Sequence, residues 1–132
     1  MLENATKIFL LMILSSFVYA GPICEYKIND MKYQLVYAKK QHLDKQIPLL
    51  EKNLQKFKDK CKDSDILNDI YQNIEMTRDN LKNAKSDFSQ AQIEGNAYKI
   101  RQAQIHLEIA NKQYIAAQQE LLRMKDLLRT EK

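Results

Sequence analysis

Few residues in this chain have side chains able to do chemistry, and their spacing narrows what that chemistry is. Two cysteines, Cys24 and Cys61, lie 37 positions apart, and the only histidines are His42 and His106. Nucleophilic catalysis needs a nucleophile, a base and an orienting group converging in one pocket. A zinc site needs four nitrogen or sulfur ligands at characteristic spacing. Neither set can be assembled: His42 falls in a predicted turn, and His106 falls at a g position beside a helical seam. The carboxylates are scattered along solvent-facing helix positions, where solvation and i,i+4 pairing account for them. Glycine occurs only at 21 and 95, so there is no glycine-rich phosphate loop. These features predict no enzymatic activity, no cofactor, no metal site and no small-molecule substrate. What remains for the cysteines is each other.

That pairing depends on where the chain goes. Ile8 to Val18 runs for eleven residues without a charge, preceded by Lys7. Such a run is too short to cross a bilayer core, which takes about 20 residues, and it matches the apolar region of a secretory signal. Val18-Tyr19-Ala20 places short side chains before the scissile bond, and Gly21-Pro22 breaks the helix just after it. Residues 1–20 are therefore expected to be a signal peptide, cleaved between Ala20 and Gly21, with the mature chain in the periplasm. Pro22-Ile23 before Cys24 lacks the small residue that a lipidated cysteine requires. In an oxidising compartment, an even pair of cysteines predicts a disulfide between Cys24 and Cys61.

The elements that must position these residues read as helices throughout, because the chain is poor in breakers and rich in Lys, Gln, Leu, Ala and Glu. Cys24, Ile28, Met31, Leu35 and Ala38 form one heptad stripe; Ile47, Leu50, Leu54, Phe57 and Cys61 form a second. Folding the two antiparallel about Gln41–Asp44 pairs Cys24 with Cys61, Ile28 with Phe57, Met31 with Leu54, Leu35 with Leu50 and Ala38 with Ile47. One register thus satisfies the disulfide and every core layer. Asp44 is the expected cap of the second helix, with Pro48 in its first turn.

After Lys62 the stripe loses phase and a new one begins, with Asp63 or Ser64 as the expected cap. It runs Leu67, Ile70, Ile74, Thr77, Leu81, Ala84, Phe88, Ala91, and after Glu94-Gly95-Asn96 resumes as Ile100, Ala103, Leu107, Ala110, Tyr114, Ala117, Leu121, Met124, Leu128. Folding back at Gly95 gives eight layers, six of which set a small residue against a large one. Antiparallel helices keep their layer volumes even in this way. The expected fold is all-α: a disulfide-stapled hairpin over 21–62, then a long antiparallel coiled-coil hairpin over 63–132, about 40 Å in length at 1.5 Å per residue.

The export signal, the Cys24 and Cys61 pair with Leu50-Glu51-Lys52 between them, and Glu94-Gly95-Asn96 followed by Lys99-Ile100 and Leu107-Glu108 resemble the YqjC-like proteins. These are small uncharacterised periplasmic proteins, a family with a domain of unknown function. The resemblance implies a periplasmic location and no known catalytic residues. Members tend to carry glycine in the first turn, where this chain has His42-Leu43-Asp44.

Two surface features bear on function. Residues 21–62 carry ten lysines against five acids, whereas residues 63–132 carry ten cations against eleven acids. The basic excess is densest at Lys52, Lys56, Lys58, Lys60 and Lys62, a candidate patch for weak contact with an anionic membrane surface. The one aromatic among these lysines, Phe57, belongs to the seam, so no aromatic shares their surface as nucleic-acid binding would require. Separately, Tyr98, Ile105, Ile109, Ile115 and Leu122 face away from the long seam and form a candidate interaction surface; the first helix adds Tyr26, Tyr33, Val36 and Tyr37. A helix apolar on two faces needs two partners, so protein partners or self-association are expected. The chain reads as a non-enzymatic binding or scaffold protein of the cell envelope, with a periplasmic holdase-type chaperone as the second reading.

Overall fold

The computed structural model describes residues 21–130; the signal-peptide segment and the Ala20 side of the expected cleavage site lie outside the described residues. Four helices follow one another: α1 Gly21–Lys40, α2 Ile47–Lys60, α3 Asp63–Glu94 and α4 Ala97–Arg129, with no strand among the described residues. Breakers sit only at helix boundaries. Gly21 and Pro22 open α1, Pro48 falls in the first turn of α2, and Gly95 follows α3 in the left-handed conformation, φ 72°.

The turn between α1 and α2 is closed by backbone geometry. His42 adopts φ 52°, the Leu43 N–H donates to Ala38 O at 3.0 Å, and the His42 N–H donates to Lys39 O at 3.3 Å. This six-to-one and five-to-two pair is a Schellman ending, with Leu43 beside buried Ala38 as its apolar contact. The left-handed residue is usually glycine, and histidine fills the position here. Asp44 does not cap α2; Gln46 does, and without a side-chain bond, because the Schellman turn sets the helix start two residues later. At the other hairpin, the Asn96 side chain caps α4 by accepting from the Lys99 N–H at 3.1 Å.

Every seam position expected along α1, α2 and α3 is buried or half-buried. Leu81, Ala84 and Ala110 form one core cluster with Leu107 and Tyr114, the large-against-small layers that the spacing predicts. On α4 the seam ends differently. Leu128 is exposed, and Leu127 turns inward in its place. A helix of 3.6 residues per turn drifts off a strict 3.5 repeat, and α1 arrives on the side toward which Leu127 points.

That arrival joins the hairpins. Ile23 packs against Ile70 and Met124 at the open end of the long hairpin, and Ile23 and Met124 are each 0% exposed. Ile66, Leu67, Ile74, Leu121 and Leu127 close around them. Lys27 pairs with Glu120 at the edge of this contact. Only α1 docks; α2 packs on α1 alone.

Asp63 acts across this joint rather than on its own helix. α3 starts from Lys62 without a side-chain cap, contrary to the expectation for Asp63 or Ser64. The Asp63 carboxylate instead accepts from the Ile23 N–H at 3.2 Å and the Cys24 N–H at 2.8 Å. Pro22 has no N–H, so Asp63 takes the next two donors in the first turn of α1. Gly21 allows this approach. It has φ 81°, and a Cβ added there would lie within 3.0 Å of three Asp63 carboxylate atoms.

Candidate functional site on the outer helix faces

The disulfide joins Cys24 and Cys61 with a Cα–Cα separation of 5.9 Å. Cys24 is fully buried and Cys61 half-buried, so both thiols are committed to the staple. Among the described residues no group of three or more His, Cys, Asp and Glu side chains is placed to hold a metal ion. No described helix is long and apolar enough to cross a membrane.

The hollows in the surface are open grooves. One, midway along the long hairpin, runs over Asn73, Thr77, Asn80, Gln113, Ala116 and Glu120 with a volume of about 420 Å³. Another, nearer the Gly95 turn, passes Asp87, Gln90, Gln102 and His106. Polar side chains alternate with apolar ones in both, Met76 and Ala117 in the first and Tyr98 and Ala103 in the second, and His106 is an exposed residue on the rim of the second. At the turn, Lys99 Nζ lies 2.6 Å from Glu94 Oε2. The Lys99 hydrogen bond, then its charge, then a hydrogen bond from Gln90 hold the Glu94 carboxyl below the ordinary glutamate range.

The five apolar residues singled out on α4 are all exposed, but they do not share one face. Tyr98, Ile105 and Ile109, at 72%, 43% and 49% exposure, fall within roughly 40° of arc at 3.6 residues per turn. Ile115 and Leu122 lie about a third of a turn away, beyond Arg101, Glu108 and Gln119. They occupy different positions of the heptad, Ile115 and Leu122 one residue after the seam positions Tyr114 and Leu121, and Tyr98 and Ile105 two residues before Ile100 and Leu107. On α1, Tyr26, Tyr33 and Tyr37 form an exposed stripe outside the seam, with Val36 beside it. Tyr33 and Tyr37 border a shallow apolar hollow with Leu43 and Leu50 near the free turn.

The basic cluster also divides between faces. Lys52, Lys56 and Lys60 stand at i, i+4 and i+8 on the outer face of α2, and exposed Leu49 lies on that face one turn earlier. Lys58 turns to the opposite flank, and Lys62 sits in the link to α3. Sequence reasoning missed Leu49, Ile23 and the bond from Asp63 to α1. The available signal for Ile23 was an isoleucine off the stripe beside a buried cysteine, which does not specify a partner.

Comparison with known proteins places this arrangement in a family. Residues 10–121 match the family described as "Protein of unknown function (DUF1090)", and the chain belongs to that family. No curated protein and no solved structure matches the chain.

Proposed function

We propose that the mature chain, released into the periplasm by cleavage between Ala20 and Gly21, is a non-enzymatic binding and scaffold protein of the cell envelope. Within its family it is of the YqjC-like kind. The observation that carries the reading is the exposed stripe Tyr98, Ile105 and Ile109 on α4, displayed on a long two-helix frame and left uncovered by the short hairpin. A helix with one apolar face in a coiled-coil seam and a second facing solvent suits a second partner. Light scattering on the mature protein tests it: the expected result is a defined oligomer that Ile105→Lys dissociates.

The second reading is a holdase-type chaperone. It is favoured by the dispersal of apolar side chains over separate faces, Tyr33 and Tyr37 on α1 and Ile115 and Leu122 on α4, which suits weak contact with unfolded clients. Suppressed aggregation of an unfolded outer-membrane protein, lost on replacing Tyr33, Tyr37 and Ile109 with serine, supports it. A monomer inert in that assay removes both readings.

A further inference from the structure

We propose that the outer face of α2 is a docking surface for the headgroups of an anionic lipid bilayer. Lys52, Lys56 and Lys60 align on that face with Leu49, and all four are exposed. Because α2 packs on α1 alone, nothing in the described fold covers this side. Glu51 pairs with Lys39 at 2.9 Å on the flank, and Asp59, which accepts from Gln55 Nε2 at 2.9 Å, is the one acid on the lysine side of α2, so the face keeps a net positive charge. No ion pair among the described residues involves Lys52, Lys56 or Lys60.

Charge complementarity selects the occupant. The hairpin bearing this face holds ten lysines against five acids, and the long hairpin has no such excess. Cations are favoured near any helix C-terminus, and Lys60 fits that account, but Lys52 and Lys56 precede the last turn. From Leu49 to Lys60 the face extends about 16 Å along a straight helix, a flat row suited to a planar array of phosphates. Lysine stems let the ammonium groups reach headgroup level while Leu49 enters the acyl boundary. A protein hot spot would call for aromatic or arginine anchors, and this face has neither.

Each lysine held near such a surface strengthens binding about fivefold at physiological salt. The test is co-sedimentation of the oxidised mature protein with vesicles of phosphatidylcholine containing about one-third phosphatidylglycerol, against phosphatidylcholine alone. Binding is expected to the anionic vesicles only and to vanish at about 0.5 M salt, where the Debye length falls to roughly 4 Å. Changing Lys52, Lys56 and Lys60 together to glutamine should lower partitioning roughly a hundredfold, with the helical circular dichroism unchanged. Tyr33→Ser with Tyr37→Ser, on α1, should leave it intact. Equal binding to neutral vesicles, no binding at low salt, or loss with the tyrosine pair instead of the lysines would overturn the proposal. None of these readouts depends on Ile105, so the scaffold reading stands or falls separately.

Discussion

Replacing Asp63 with alanine withdraws the acceptor for two backbone donors, the Ile23 N–H at 3.2 Å and the Cys24 N–H at 2.8 Å. A helix-capping oxygen is worth about 1 kcal/mol, and a bond to a charged acceptor about 1.5–3 kcal/mol. Both bonds are part-buried, so Asp63→Ala should destabilise the oxidised protein by about 2–3 kcal/mol, roughly a 10 °C fall in Tm for a chain of this size. Gly21→Ala reaches the same contact from the other side. In the proposed mature chain Gly21 is the N-terminal residue and its φ is unrestrained, so the cost of Gly21→Ala is the new Cβ displacing the carboxylate. The two substitutions are therefore coupled. In the Asp63→Ala background, Gly21→Ala should cost almost nothing, because the added Cβ meets only the Asp63 carboxylate, and the double variant should be less destabilised than the sum of the singles. Urea unfolding of the four proteins gives the cycle directly. Additive effects, or a loss under about 0.5 kcal/mol for Asp63→Ala, would refute the reasoning.

The remaining predictions concern the staple and the two turns. Thiol titration of protein taken from the periplasm should find no free thiol, and reduction should cost about 3–4 kcal/mol on the chain-entropy account of a loop this long. His42→Gly should stabilise the protein by up to about 1 kcal/mol in thermal unfolding, because glycine adopts the left-handed turn conformation without the Cβ penalty. Glu94, observed by NMR, should titrate below the ordinary glutamate range, and Lys99→Ala should return it to that range. Since its folded value is lowered, whatever stability Glu94 contributes is present above the ordinary range and is lost as pH falls through the lowered value.

The two seams, the disulfide pairing and the Gly95 reversal are legible in the amino-acid order alone. Contacts within a helical hairpin repeat with the helix, so Leu67 through Ala91 and Ile100 through Met124 pair by residue number. Cys24 and Cys61 lie at matching ends of the same kind of register. Everything that crosses between hairpins depends on tertiary packing. Ile23 lies off its own stripe and is buried by Ile70 and Met124, Leu127 replaces Leu128, and Asp63 caps a helix 40 residues away instead of its own. The physical reason is the same in each case. Periodicity specifies which face of a helix is apolar, but not the direction from which another hairpin arrives. Small departures from the 3.5 repeat then accumulate along helices as long as α3 and α4, where a heptad letter no longer fixes an azimuth.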